Sequence, residues 1–600
     1  METLKDALRE FSSGRFSEAE QICRKLIKSF PDNRNAVELL VVTLTNLSRF
    51  EEATALVREL ISRAPAAVQF KVYLGILLLH QERLHDAHQC LSEAKRIAPS
   101  DPACLFNLGL VLFKLERYSE AADALKAARR NAPGLQVAAI YEARALIELS
   151  FIEEAQTVIK SLANVRGLKA EEINEYARAC ISLALFPEAE VALVQAAAET
   201  PSNVAIKVNL AHVFERTNRS EAAAALLDDL EAPGPFGRAL KARVIARTGR
   251  TDEALALLSQ LREELRPFKS GTEDLCAQIE FDRGRMLDQT GRYAEAYKAF
   301  QLGNSIDRQT FERICPGCEI EGGLPWLAES QDLITLSSEG YSRQETMDAD
   351  PVFLVGFPRS GTTLLDQILN AHPQIDVLEE KPLVESLIRI IGTMPLGYPR
   401  AIASLREKDI AGLRFHYWQT VAKFIDRNPN NAFVDKNPFN LCQAQLLRRL
   451  FPQAKWIFAM RHPLDSILSC FVNRFRYTKY SHGFWNLEEI SRIYRDTVGL
   501  WLAQRPELTL QCHDIYYEKL VAEPEAQARA LIDFLGLPWD SEVLQYYRHA
   551  RDRIIGTPSY DQVVKPIYGD AIARWRHYEG ELSAAKDIVR PVAQALGYAC

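Results

Sequence analysis

No stretch of the 600-residue chain approaches 18 uninterrupted apolar residues, so a membrane-spanning helix or anchor is not expected. The opening segment, Met1 to Glu10, carries acids and bases where a signal peptide would carry an apolar core. An excess of positive charge is also missing: the formal net charge is −7, without the basic footprint that a nucleic-acid backbone requires. Glycine and proline, 28 of each, are too few for a collagen-like or low-complexity chain. The eleven cysteines are odd in number and scattered from Cys23 to Cys600, unlike the dense spacing of a secreted disulfide scaffold. They read as reduced thiols, and the expected setting is soluble and cytoplasmic. What remains is ordinary globular material, 47% hydrophobic and 25% charged, long enough for several packed domains.

The first half is periodic. Pro31, Pro65, Pro99 and Pro133 stand 34 residues apart, and Pro201 falls two periods later. Phe16, Phe50, Leu84, Tyr118, Ile152 and Phe186 keep the same step, as do Ala19, Ala53, Ala87, Ala121, Ala155, Ala189 and Ala223. Three registers in phase define a helix-turn-helix unit: the large residue closes the turn, the alanine lies where the helices cross, and proline stops the second helix. Gly75 and Gly109 add a fourth register, at a place where a missing side chain lets two helices approach closely. The step slips to 31 before Ala254 and to 42 before Ala296, yet Gly-Arg-Thr-Asp-Glu-Ala and Gly-Arg-Tyr-Ala-Glu-Ala keep the repeat core there.

The units resemble the tetratricopeptide repeat family, about nine of them over residues 1–306. A stack of such pairs implies an all-α superhelix with a concave surface for a protein or peptide partner. Scaffolding, or a dimerisation arm giving a homodimer, is the alternative use.

The 34-residue pattern is lost over residues 307–350, which read as a linker. Cys315-Pro-Gly-Cys318 lies there, but no second Cys/His pair stands at zinc-site spacing, so no metal is expected. Residues 351–600 form the next domain. Pro351-Val-Phe-Leu-Val-Gly356 predicts a short buried strand, Phe-Pro-Arg-Ser-Gly-Thr-Thr a loop, and Leu364 to Asn370 a helix. Strand, glycine-bearing loop and helix present backbone N–H groups to an anion.

Gly356-x4-Gly361 copies the spacing of a nucleotide-triphosphate P-loop, but Thr362 stands where that motif requires lysine. Charge comes from Arg359 inside the loop, with hydroxyls from Ser360, Thr362 and Thr363 after it, a set suited to a phosphosulfate held without metal.

Pro358-Arg-Ser-Gly-Thr-Thr-Leu364 resembles the 5′-phosphosulfate loop of sulfotransferases that use 3′-phosphoadenosine 5′-phosphosulfate (PAPS). The strand Lys455 to Met460 leads into Arg461-His-Pro-Leu-Asp-Ser-Ile-Leu-Ser469, which matches the R-x7-S spacing of that family's 3′-phosphate site. The likeness extends to tyrosylprotein sulfotransferases. Ala371 to Glu380 resembles their segment ending in a Glu-Glu pair, implying Glu380 as catalytic base with Glu379 the alternative. Asp435-Lys-Asn-Pro-Phe439 implies Lys436, in a loop, as the catalytic lysine, and His372 is read as structural. The resemblance further implies nucleotide contacts at Gly361, Tyr517, Ser559 and Lys565. The chain departs from it at Asn473, which aligns with a further nucleotide-binding arginine and has Arg474 beside it.

The expected fold is thus an all-α repeat array followed by an α/β, P-loop-like domain with a central parallel sheet. The expected function is transfer of a sulfuryl group from PAPS to an acceptor hydroxyl, a protein or peptide tyrosine included, with Glu380, Lys436 and Arg359 catalytic. The alternative is a non-catalytic repeat scaffold whose second domain only binds nucleotide.

Overall fold

The computed structural model describes residues 3–30, 33–149, 151–162, 167–266, 271–314, 350–475, 483–507, 509–547 and 571–599. Among them, eighteen helices run in nine antiparallel pairs from Leu4 to Ile314. The large residue of the 34-residue register opens the second helix of its pair, as in Phe16–Ser29, Phe50–Arg63, Leu84–Ile97 and Tyr118–Asn131. Three residues on, the register alanines from Ala19 to Ala223, with Ala254 and Ala296, are all fully buried. Gly75 and Gly109 do admit a close approach: a Cβ on either would lie 2.5 Å from Cγ of Leu91 or Leu125 on the partner helix. Among the described residues, a left-handed residue stands two positions before the second helix, glycine at Gly14, Gly249 and Gly291 and a non-glycine at Ser48, Glu82, Glu116, Ala184 and Asn218.

Two compact units divide the chain, residues 1–237 and 238–600. In the first, the apolar faces of successive pairs bury one another. In the second, five parallel strands are β1 (Val352–Gly356), β2 (Ile375–Glu379), β3 (Ala432–Lys436), β4 (Lys455–Met460) and β5 (Gln511–Tyr516), in the order β2-β3-β1-β4-β5. Alternate residues serve opposite faces. Val352, Leu354, Ile457 and Ala459 pack on the helices Thr362–Asn370 and Pro524–Leu535. Phe353, Val355, Trp456 and Phe458 join a larger core with Leu447, Ile467, Trp501 and Val589. That same core contains Phe281, Met286 and Phe300 of the last repeat pair, Glu273–Gln289 and Tyr293–Ile314. The last pair follows the repeat pattern in sequence yet packs with the sheet. Its final helix runs past residue 306, and residues 315–349, most of the expected linker, lie outside the described residues.

Candidate active site

All five strands point the same way, so the residues after their carboxyl ends share one edge, where open α/β sheets bind ligands. The chain leaves β1 toward β2 on one side and β4 toward β5 on the other, which makes the β1/β4 border the switch point. Gly356 ends β1 there, beside Ala459 of β4. A Cβ on Gly356 would stand 2.6 Å from the Ala459 carbonyl oxygen and 2.7 Å from Ser360 Oγ. Gly361 caps the next helix at φ 101°, and its Cβ would stand 2.8 Å from the Tyr517 ring. The first glycine permits close passage and the second a left-handed cap. The helix opens at Thr362, with the amides of its first turn lacking intrahelical acceptors. Thr362 and Thr363 are buried in that turn, and the buried Ser360 hydroxyl has no hydrogen-bond partner among the described residues. An orphaned hydroxyl within a cradle of helix-start amides fits an anionic oxygen.

Two guanidinium groups converge on this loop. Arg359, at φ 68°, donates from Nε to Ser469 Oγ at 2.9 Å. Arg461 donates from Nη1 to the Arg359 carbonyl at 3.1 Å and from Nη2 to the Ala571 carbonyl, and lies over the Tyr517 ring at 5.1 Å. Its buried Nε has no acceptor among the described residues. Burial pushes the Arg359 guanidinium down to about 10, and the neighbouring Arg461 charge adds to the effect, so Arg359 remains cationic at neutral pH. Ser469 lies near the end of the helix Pro463–Phe471, and Pro463 at the first helical position leaves no amide wasted. Loop, R-x7-S pair and Tyr517 thus stand together at the β1/β4 border.

A lysine and two carboxylates meet across the β2/β3 border. Lys436 is the last residue of β3, not a loop residue, and is completely buried. It tolerates burial because Nζ donates to Glu379 Oε1 at 2.9 Å and Glu380 Oε1 at 2.7 Å. Burial alone would lower the Lys436 pKa, but Glu380, Glu379 and the buried Asp366 outweigh it and hold it above its ordinary value. Glu379 still belongs to β2, whereas Glu380 lies one residue beyond, at φ 46°, its amide donating to the Lys436 carbonyl at 2.7 Å. The Glu380 side chain is 43% exposed and that of Glu379 18%, so Glu380 is the carboxylate open to an incoming molecule.

His372 is structural: Nδ1 accepts from the Gln374 amide at 3.1 Å, which leaves Nε2–H to donate to the Pro538 carbonyl at 2.9 Å. Asn473 donates to the Ser469 carbonyl at 2.8 Å, and Arg474 turns away to Asp307 and Asp274. Ser559, Lys565 and the Cys315/Cys318 pair lie outside the described residues. Among the described residues no group of three or more His, Cys, Asp or Glu is placed to hold a metal ion. Asp366 and Asp465 were missed in the sequence, since isolated aspartates inside apolar helical runs carry no distinguishing spacing. Asp465 accepts the Ala573 and Trp575 amides at 2.8 and 2.9 Å, beneath Arg461.

The Sulfotransferase family model matches residues 351–541, and the Tetratricopeptide repeat model matches five stretches between residues 4 and 305. The chain therefore joins N-terminal tetratricopeptide repeats to a sulfotransferase-family domain, with distant homology to protein-tyrosine sulfotransferases. An uncharacterized protein of Aquifex aeolicus (strain VF5) is 32% identical over 248 residues, which is 40% of this chain and only 32% of that protein. Protein-tyrosine sulfotransferase A of Caenorhabditis elegans is 29% identical over 287 residues, 44% of this chain and 70% of that protein. Human protein-tyrosine sulfotransferase 1 is 26% identical over 277 residues, 42% of this chain and 70% of that protein. Among solved structures, the APC/C hetero-tetramer Cut9-Hcn1 is similar over 44% of this chain and 52% of that one, with 16% identity and a TM-score of 0.37.

Proposed function

We propose that the protein is a PAPS-dependent sulfotransferase that moves a sulfuryl group to an acceptor hydroxyl, the tyrosine of a protein or peptide being the favoured acceptor. The observation that carries this reading is the meeting, along one sheet edge, of an amide-lined loop on which two guanidinium groups converge with a carboxylate salt-bridged to a buried lysine. The tyrosine acceptor is supported by the similarity to protein-tyrosine sulfotransferases.

PAPS would supply the activated sulfuryl group: the sulfur–oxygen bond to its 5′-phosphate breaks as the bond to the acceptor oxygen forms, and adenosine 3′,5′-bisphosphate leaves. The loop from Arg359 to Gly361 and the helix start at Thr362 and Thr363 would hold its 5′-phosphosulfate, and Arg461 with Ser469 its 3′-phosphate, with Tyr517 against the nucleotide. Glu380 takes the acceptor proton as the acceptor oxygen attacks sulfur, since it is the exposed carboxylate at the strand end. Lys436 orients Glu380 and, with Arg359, offsets negative charge gathering on the sulfuryl and leaving oxygens. A fully buried lysine beside a partly exposed carboxylate is what proton removal and charge stabilisation need, and this supports the enzyme reading over the non-catalytic scaffold. The repeats are the natural holder of the acceptor protein or of a partner.

The test is labelled-sulfate transfer from PAPS to tyrosine peptides, glycans and small phenols. Glu380→Gln is expected to lose about 10²- to 10⁴-fold in transfer rate while still binding adenosine 3′,5′-bisphosphate. Unaltered turnover in Glu380→Gln would refute the assignment of the base. Tight bisphosphate binding by the native chain with no transfer to any acceptor class would return the scaffold reading.

A further inference from the structure

The helix Pro463–Phe471 carries Ser469 and follows Arg461, so whatever fixes this helix fixes the spacing between the two. At its carboxyl end the Phe471 carbonyl accepts from Asn304 Nδ2 at 3.0 Å, and the Phe471 ring stacks on Tyr297 at 5.4 Å. Three residues further, Arg474 donates as a fork to Asp307, from Nε at 2.8 Å and Nη2 at 2.7 Å. At its amino end, Arg461 and Asp465 bond to the backbone of residues 571–575. That segment is held by Asp288, which accepts from Arg574 at 2.6 Å and from the Tyr578 hydroxyl at 2.5 Å. Asn304 and Asp307 belong to the helix Tyr293–Ile314, and Asp288 to Glu273–Gln289. Both ends of the helix are thus secured by one element, the last repeat pair.

These are directional polar contacts, centred on two buried groups. Asn304 and Asp307 are each only 3% exposed. Apolar packing of Tyr297 and Phe300 on Phe471 would join the surfaces without them, and burying a carboxylate costs more than burying a leucine of similar size. What a forked ion pair adds to apolar packing is a fixed register. We infer that Asp288, Asn304 and Asp307 are positioning residues for the donor's 3′-phosphate, acting through Arg574, the Phe471 carbonyl and Arg474 on Arg461 and Ser469. The inference rests on reading Arg461 and Ser469 as the 3′-phosphate clamp. It makes the last repeat pair a working part of the transferase rather than only the end of a binding array.

The experiment measures the affinity of the full chain for adenosine 3′,5′-bisphosphate and for adenosine 5′-monophosphate by calorimetry, and takes their ratio as the discrimination due to the 3′-phosphate. In Asp307→Asn and Asp288→Asn the ratio is expected to fall at least tenfold, with monophosphate affinity nearly unchanged in protein that still melts cooperatively. Asp307→Glu, which keeps the charge, is expected to restore most of it. Arg474→Lys keeps the cation but loses the fork, and it carries the same expected loss should Asp307→Asn fail to fold. An unchanged ratio in folded Asp307→Asn and Arg474→Lys overturns the inference, as does equal weakening of both nucleotides, the mark of a merely structural role. A native chain that does not prefer the bisphosphate overturns the clamp reading itself and the inference with it.

Discussion

Cutting the chain at the end of its repeat pattern should damage the transferase domain. A fragment covering residues 309–600 removes Phe281, Tyr293, Tyr297 and Phe300, and with them the cover over Phe471 and Tyr578, each about 1% exposed in the intact chain. Full exposure of a large buried side chain costs roughly 1.5–3 kcal/mol. Each keeps part of its cover from its own domain, and Arg474, Arg574 and Tyr578 also lose their bonds to Asp307 and Asp288, so the expected loss is about 2–5 kcal/mol. That is a large share of the roughly 5–15 kcal/mol that holds a typical domain folded. For a unit of this size it corresponds to a fall in Tm of about 3–8 °C. The comparison fragment begins at Gly234, the start of a helix, and keeps both last repeat pairs. Circular dichroism melts of the two fragments provide the assay. The shorter is expected to melt earlier and with less cooperativity. Melting within two degrees or so of the longer fragment would refute the claim that the last pair completes the transferase core.

Arg461→Ala removes a charged hydrogen-bonding group, worth roughly 1.5–3 kcal/mol, and should weaken 3′-phosphorylated nucleotides about 10- to 150-fold with little effect on adenosine 5′-phosphosulfate; equal weakening of both donors in calorimetry would contradict the clamp. Lys436→Met leaves two carboxylates facing one another, but Glu380 is half-hydrated, so the stability loss is expected at about 1–3 kcal/mol by urea melts, alongside a fall in transfer rate of roughly 10²–10³-fold. Because the folded pKa of Lys436 is raised above its ordinary 10.5, its contribution is complete below that pH and is lost as pH rises through the folded value. The native chain should therefore lose stability above about pH 10.5 by a step that Lys436→Met lacks, and identical alkaline profiles would contradict the ion pair. Gly109→Val places methyl groups where a Cβ alone already stands 2.5 Å from Leu125 Cγ, and should cost about 1–3 kcal/mol in a urea melt; a change under 0.5 kcal/mol or so would show that Leu125 yields freely.

The parts readable without a structure are those whose chemistry is contiguous or periodic. Nine helix pairs were legible because each repeat must place an alanine at its crossing and a large residue at its turn, so burial is written every 34 residues. The loop from Gly356 to Thr363 was legible because a strand, a close passage and a helix cap follow one another along the chain, and Arg461 with Ser469 because one short helix spans them. The left-handed turn residues Ser48, Glu82, Glu116, Ala184 and Asn218 were not legible, since none is glycine and the conformation is imposed by the helices that flank it.

Lys436 shows what only the folded chain decides. Its sequence neighbourhood placed it in a loop, and parallel pairing of β3 with β2 set it instead at zero exposure between Glu379 and Glu380, 57 and 56 residues away. No local pattern encodes that pairing, because the sheet register brings the three together and their mutual charge makes the burial tolerable. The last repeat pair makes the same point at larger scale. Its periodicity is that of the array, but Asp288, Asn304 and Asp307 spend their polar atoms on residues 471–578, and that allegiance arises only where the two segments meet in space.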